Sequence, residues 1–381
     1  MRDVPRALRL LQMSLIVAAH DFHSLPIKEV RRETPEAISI SLEVPETLRA
    51  QFVWKPGQHV TLRTTLGGEE QRRTYSICST PHDNGLQIAI KRVAGGNFST
   101  WADDTLTAGQ HLEVMPPTGR FILPASDGQP RHILAIAAGA GITPIIAMVQ
   151  HALVLEPETT VTLIYGNRTS QSTMFRERLE DLKDRHVGRF TLLNVLSRNT
   201  ESDAPLLEGR IDGDKVRAMA GALLRLDTID HIFLCGPGTM IKEARNVFLE
   251  LGIPRDRIHH EFFAAGGGAY RQAPAPPIVS DDRTAGLGTG TEVMATIDGI
   301  RHIFNVPLGT HVVDAALAAG VRVPYSCKGG MCCTCRARVI EGAAQMTTNY
   351  SLEPWEIARG FILTCQAIPE PGRLVLDYDQ M

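Results

Sequence analysis

The sequence predicts a multidomain protein in three blocks: an antiparallel β-barrel, an α/β block with a parallel sheet, and a small α+β, β-grasp-like block. Three observations carry that prediction. A chain of 381 residues is too long for one typical core. Its hydrophobic pattern shifts near His132 from short alternating runs to buried-type strands interleaved with helices. Five of its seven cysteines fall in the last 55 residues.

Composition bounds the function. Apolar content of 43% and charged content of 21% are those of a globular chain, and the net charge of -3 is small. No basic field points to nucleic acid, and no acidic tract points to disorder. The longest apolar runs are strand-sized, so no segment is expected to span a membrane. Residues 1–21 combine arginines with a short apolar run interrupted by Gln12 and Ser14, and Met13 offers a second start. They read as a disordered or mis-assigned leader rather than a signal peptide. The clustered, odd-numbered cysteines argue against a secreted disulfide framework and for metal chemistry in a reducing cytoplasm.

The first block covers 22–125. "AISISLEV", "QHVTLRTT", "RTYSICS", "LQIAIKRV" and "HLEVMPP" alternate and are separated by Gly, Pro and Asn, which predicts a barrel. In the second, 126–263, "HILAIAA", "TVTLIYG", "FTLLNVL" and "HIFLCG" alternate with helical stretches such as "ITPIIAMVQHALVL". That is the pattern of a parallel sheet with helices on its faces. Residues 264–291 contain six glycines and three prolines, the composition of a flexible linker with a coil reach of roughly 30 Å. In the third block, 292–381, "EVMATIDGIRHIFNV" predicts a hairpin and "GTHVVDAALAAGV" a helix. "SLEPWEIARGFILTCQA" predicts a helix capped by Ser351 and stopped by Gly360.

Residues 325–335 read YSCKGGMCCTC. Cys327, Cys332 and Cys335 are spaced C-x4-C-x2-C, and Cys365 follows after 29 further residues. Zinc sites usually combine two separate C-x2-C knuckles. Three ligands on one loop and a distant fourth give the plant-type [2Fe-2S] pattern instead. Gly329 and Gly330 let amide N–H groups approach the cluster sulfurs. A zinc ribbon and unliganded thiols are the bland alternatives. Cys333 lies outside the spacing and reads as a buried small side chain, a shifted ligand being its alternative. Val293 onward carries eight acidic and seven basic residues, so charge alone is not expected to drive docking.

A [2Fe-2S] centre takes single electrons while nicotinamide delivers a hydride, and flavin is the usual device that separates the pair. "RRTYSICS" resembles the flavin-binding R-x-Y-S of the ferredoxin–NADP reductase family, at Arg73, Tyr75 and Ser76. The resemblance implies that Arg73 neutralises phosphate, Tyr75 lies against the flavin ring and Ser76 hydrogen-bonds near its reactive nitrogen. "GGNFST" resembles the matching helix start, with Gly96, Ser99 and Thr100 offered to the pyrophosphate of FAD. "WKPGQHV" and "PPTGRF" are further landmarks of the family. "RTYS" alone is weak, since Tyr and Ser on a strand are commonly structural; the order of its companions strengthens it.

"AAGAGITPIIAM" supplies Gly139, Gly141, Thr143 and Pro144, a G-x-G-x-x-P turn entering a helix in which proline replaces the third glycine of the Rossmann fingerprint. The resemblance implies that this loop holds the nicotinamide nucleotide's pyrophosphate. It also implies that "CGPGTM" sets Cys235, Gly236 and Pro237 beside the nicotinamide ring. A covalent nucleophile at Cys235 is the rival reading, with no His–Asp arrangement evident beside it. Arg168 and Arg198 follow successive strands with no acidic residue at those ends, which points to NADPH rather than NADH. Arg176 and Arg178 are secondary candidates, and solvated surface arginines are the alternative for each.

Across Phe22 to Asp379, "FHSLPIKEV", "LIYGNRTSQSTMFR", "GRIDGDK", "CKGG" and "TTNYSLEPWE" together resemble the reductase component of ring-1,2-phenylacetyl-CoA epoxidase. The resemblance implies a reductase that passes electrons from NADPH through FAD and a [2Fe-2S] cluster to a separate di-iron oxygenase. Departures are the extra leader and Cys333, where alanine is more usual. The chain has no Glu-x-x-His pair of the di-iron kind itself. His259 and His260 read as structural rather than as metal ligands, and Glu261 as a group for proton delivery near the flavin. The alternatives are a reductase for a Rieske dioxygenase or soluble hydroxylase, and a non-catalytic iron–sulfur redox sensor.

Overall fold

The computed structural model describes residues 21–83, 85–198, 204–263 and 290–380. The predicted leader up to residue 20 and the predicted linker from residue 264 to 289 lie outside the described residues. The chain divides into two compact units, Ser24–Tyr270 and a second built on Arg271–Met381. Among the described residues no helix is long and apolar enough to cross a membrane.

In the first unit, β1 (His23–Thr34), β2 (Ala37–Leu42), β3 (His59–Leu66), β4 (Glu69–Ser76), β5 (Leu86–Lys91) and β6 (His111–Val114) form a sheet in the order β4-β3-β6-β1-β2-β5. Alternation puts Ile38, Ile40, Val60, Leu62, Ile88 and Ile90 inside. The barrel is closed just past β4, where Ile77 bridges Ile88 and the Cys78 N–H donates to the Gln87 carbonyl at 2.8 Å. Helix α1 (Asn97–Thr105) packs Phe98 and Ala102 into the same core.

The parallel sheet follows: β7 (His132–Ala138), α2 (Ile142–Leu155), β8 (Thr160–Asn167), α3 (Arg176–Arg185), β9 (Phe190–Leu196), α4 (Gly213–Leu223), β10 (His231–Gly236), α5 (Gly238–Glu250) and β11 (Ile258–Phe262). Its order is β11-β10-β7-β8-β9, so the winding reverses between β7 and β10. Ligands of such sheets bind outside the strand ends at that reversal. One apolar core joins barrel residues Ala89, Phe121 and Leu123 to Ile142, Ile145 and Ile146 of α2. A buried staple reinforces the junction. Arg131 donates to both Glu156 carboxylate oxygens, at 2.8 and 2.6 Å, and to the Pro124 carbonyl at 3.1 Å.

The second unit is a mixed sheet in the order β13-β12-β18-β14-β16, built from β12 (Gly290–Ile297), β13 (Ile300–Pro307), β14 (Arg336–Glu341), β16 (Phe361–Leu363) and β18 (Gly372–Asp377). Strand β12 begins two residues inside the predicted linker. β15 (Ala344–Met346) pairs with β17 (Ala367–Pro369). β12 and β13 form the expected hairpin, turning through Asp298 and Gly299, both at positive φ, and the Asp379 carboxylate accepts both their N–H groups at 2.7 Å. α6 (Val312–Ala318) covers the core with Val312, Val313 and Ala316. The last helix, α7, spans Pro354–Ala358. Its cap is Glu353, in a reciprocal box with Glu356, and not Ser351. Gly360 follows it at φ +84° as expected.

Candidate functional site

Three stretches of the barrel converge near Ser76, at the end of β4. Ser76 is buried and Tyr75 half-buried; burial pushes the Tyr75 phenol up, with the Arg73 guanidinium opposing. The Tyr75 ring lies 5.8 Å from that of Phe98 on α1. Arg73 is exposed and donates to the Arg72 carbonyl at 2.7 Å. Gly96 caps α1, whose first-turn N–H groups lack i−4 carbonyls. The Ser99 hydroxyl is not turned outward: it accepts the Val93 N–H at 3.0 Å and shapes the loop. Thr100 is half-buried one position on. An exposed cation, an aromatic ring and an N-terminal helix turn beside one strand end fit a dinucleotide flavin.

The two landmark loops meet at the same place. The N–H of His59 donates to the Thr118 carbonyl and the Thr118 N–H returns to His59, both at 2.9 Å. The His59 ring is 2% exposed, with Nε2 3.3 Å from Thr118 Oγ1 and Nδ1 3.7 Å from Glu261 Oε1. Glu261 arrives from β11 and accepts from Ser76 Oγ at 3.4 Å. Sequence reasoning misses His59, although it lies within the landmark "WKPGQHV"; its partner is 202 positions away in the chain.

Glu261 is also the register partner of Cys235 on β10. Cys235 is fully buried, and burial with the nearby Glu261 carboxylate pushes its thiol well up. That disfavours the thiolate a nucleophile needs. The Gly139–Gly141 turn, at the end of β7, packs backbone to backbone on this strand end. A Cβ on Gly141 would lie 2.2 Å from the Cys235 carbonyl oxygen and 2.8 Å from the Gly236 nitrogen. Thr143 and Pro144 are buried in the first turn of α2, and the Thr143 hydroxyl donates back to the Ala140 carbonyl at 2.9 Å. Pro237 precedes α5.

The Arg198 N–H donates to the Arg168 carbonyl at 2.9 Å, which sets these exposed arginines side by side beyond β8 and β9. Lys91 joins them: burial and the Arg168 charge lower its pKa against the pull of Glu36. The other two arginines are used elsewhere. Arg176 pairs with Glu180 and Ser170. Arg178 binds Gln150 at 2.8 Å and Gln87 at 3.3 Å, on the seam between sheet and barrel. His259 is stacked on Phe233 and its Nε2 lies 3.2 Å from His231 Nδ1.

In the second unit the four spaced cysteines lie in two contacting pairs. The neighbouring Cys332 side chain, with the Gly329, Met331 and Cys332 N–H groups, pulls the Cys327 thiol down, and the Gly329 N–H donates to Cys327 Sγ at 3.3 Å. Cys335 likewise lowers Cys365, which also receives the Gly330 N–H. Four sulfurs with amide donors aimed at them fit a [2Fe-2S] cluster. Cys333, at φ +56°, turns away: its Sγ lies 3.0 Å from Ser351 Oγ, which in turn donates to the Gly330 carbonyl at 3.2 Å. It is half-buried rather than buried.

Comparison with known proteins agrees with this architecture. Residues 24–122 match the family described as "Oxidoreductase FAD-binding domain", 135–246 "Oxidoreductase NAD-binding domain", and 295–370 "2Fe-2S iron-sulfur cluster binding domain". The chain is 42% identical over 360 residues to one of the subunits of the 1,2-phenylacetyl-CoA epoxidase of Escherichia coli (strain K12), covering 94% of this chain and 98% of the relative. It is 33% identical to the "3-ketosteroid-9-alpha-monooxygenase, ferredoxin reductase component" of Rhodococcus rhodochrous, over 96% of this chain and 100% of that one. Phthalate dioxygenase reductase shares the fold at 22% identity, with a TM-score of 0.57 over 93% of this chain and 98% of that chain. This chain therefore belongs to the flavin- and iron–sulfur-dependent oxidoreductases that serve as reductase components of oxygenase systems, the family that includes the matching component of 1,2-phenylacetyl-CoA epoxidase.

Proposed function

We propose that the protein takes hydride from NADPH and delivers single electrons to a separate di-iron oxygenase, the phenylacetyl-CoA epoxidase of aerobic phenylacetate degradation, in the cytoplasm. The observation that carries this reading is the convergence of the Gly141 and Cys235 backbones with Glu261 and Ser76 at the reversal of the parallel sheet.

Bound FAD supplies the conversion between paired and single electrons. Arg73 and the first turn of α1, at Gly96, Ser99 and Thr100, hold its phosphates, and Tyr75 presents its ring to the isoalloxazine. Gly139, Gly141, Thr143 and Pro144 cradle the NADPH pyrophosphate, while Gly236 and Pro237 leave room for the nicotinamide. Cys235 keeps a small, protonated thiol there. Arg168 and Arg198, with Lys91 beside them, receive the 2′-phosphate. Ser76 and Glu261 hold a proton next to the reacting ring, and Cys327, Cys332, Cys335 and Cys365 hold the cluster.

Anaerobically purified holoprotein is expected to show flavin and iron–sulfur absorption, both bleached by NADPH. It should sustain turnover of the epoxidase oxygenase in preference to a Rieske dioxygenase. Arg168→Ala with Arg198→Ala is expected to lower kcat/KM for NADPH at least about tenfold relative to NADH. Equal efficiency with both nucleotides in the parent protein would overturn the NADPH assignment alone. Failure to reduce the epoxidase while reducing another oxygenase would reassign the partner.

A further inference from the structure

One buried amide holds the cysteine loop from behind. Gln366 follows Cys365 directly, in the turn between β16 and β17, and is 9% exposed. Its Nε2 donates to the Lys328 carbonyl at 2.7 Å and to the Cys365 carbonyl at 3.0 Å, and lies 3.8 Å from Cys365 Sγ. Two carbonyl partners fix which end of the amide is nitrogen, since a carbonyl can only accept. At the other end, Oε1 accepts from Thr347 Oγ1 at 2.9 Å, so the amide is held from both sides. The stem lies on the loop as well: a Cβ on Gly330 would come within 3.3 Å of Gln366 Cγ.

The bond to Lys328 matters because of what that peptide does on its opposite edge. A trans peptide is planar, so its C=O and N–H point in opposite directions. The Lys328 carbonyl belongs to the peptide whose N–H is that of Gly329, and that N–H donates to Cys327 Sγ at 3.3 Å. Holding the carbonyl therefore aims the N–H at a ligand sulfur. The conformation needs holding. Lys328 has φ +48°, a left-handed backbone that residues with side chains rarely adopt, and a permissive glycine stands on the other side of the bond. A donor aimed at a ligand sulfur stabilises the reduced cluster more than the oxidised one, because reduction adds negative charge there. We propose that Gln366 is a positioning residue that raises the reduction potential of the cluster. It locks the Lys328–Gly329 peptide with its N–H toward Cys327 and presents a second N–H of its own to Cys365. The inference rests on the reading of Cys327, Cys332, Cys335 and Cys365 as the ligands of a [2Fe-2S] cluster.

The test uses the full-length holoprotein, its iron content, and a redox titration followed by the electron paramagnetic resonance signal of the reduced cluster. Gln366→Leu keeps much of the side chain's bulk and removes both N–H groups. Poised at the parental cluster midpoint, this variant is expected to show a ratio of reduced to oxidised cluster about tenfold lower, a potential about 59 mV more negative for one electron. Thr347→Val removes the hydroxyl that orients the amide and touches no cysteine. It is expected to lower the same ratio about threefold, and it decides the question where Gln366→Leu does not retain iron. Gln366→Leu with full iron content and a ratio within about twofold of the parent would overturn the inference. An unchanged ratio in Thr347→Val would do the same where only that variant holds the cluster. A side chain that merely braces the loop would give earlier melting at an unchanged potential, and that result also sinks it. A parental protein without a [2Fe-2S] signal on reduction fails at the underlying reading of the four cysteines, and not at Gln366.

Discussion

Gly141 has no side chain because the neighbouring strand end leaves no volume for one. A methyl there would meet backbone atoms of Cys235 and Gly236, neither of which can swing aside. Gly141→Ala is expected to cost about 1–3 kcal/mol, read as a lower Tm of the first unit, and to raise KM for the nicotinamide nucleotide more than it lowers flavin content. The need for glycine there was legible in the sequence, because the G-x-G-x-x-P spacing precedes a helix. The identity of what it touches was not, since Cys235 lies 94 positions away. The cysteine spacing was legible because all but one of the four shares a loop, and the fold brings them into two contacting pairs. Ser351 misled for the opposite reason. It has the chemistry of a helix cap, but its hydroxyl is taken by Cys333 and Gly330, so Glu353 caps instead. Local propensity yielded to a contact that only the folded loop creates.

At the scale of elements, the short helix α7 is held by charge more than by area. Glu356 is 1% exposed and lies 3.1 Å from Arg336, whose guanidinium also sits 3.6 Å over the Phe361 ring. Glu356→Ala leaves a half-buried cation next to Cys335 and removes a capping partner. It is expected to destabilise the second unit by about 3–5 kcal/mol, with iron released at a lower temperature in a melt followed by absorbance. On β11, burial and the neighbouring His231 and His260 lower His259 from 6.5 to about 4. The unfolded chain then binds this proton more readily than the folded one, so stability falls as pH drops from 6.5 towards 4. His259→Asn is expected to flatten that part of the Tm-against-pH curve of the first unit. The strands named in the first two blocks and the hairpin and first helix of the third followed from periodicity, whereas β1, β14, β15, β17 and β18 were not among the runs read as strands. The place of β11 beside β10 did not follow from it, because "HHEFF" carries no alternation that says which strand it pairs with.

Across the whole molecule, the two compact units have separate apolar cores, Val293 to Tyr378 in one and barrel plus parallel sheet in the other. A chain ending at Phe263 is expected to keep FAD and reduce ferricyanide with NADPH at near the parental rate. Its cytochrome c reduction should fall at least about tenfold, the loss expected if the cluster is the one-electron outlet. The order of the three blocks could be read from composition. How the barrel closes could not, since Ile77 and Ile88 lie on runs that each read as an ordinary strand. The buried Arg131 fork has a consequence of its own. It grips Glu156, at the end of α2, and donates to the Pro124 carbonyl, on the segment leaving the barrel, so melting either half strips this buried guanidinium of one of its partners. Scanning calorimetry should therefore record one endotherm for barrel and parallel sheet jointly, and Arg131→Met, which fills the space without the charge, should split it in two.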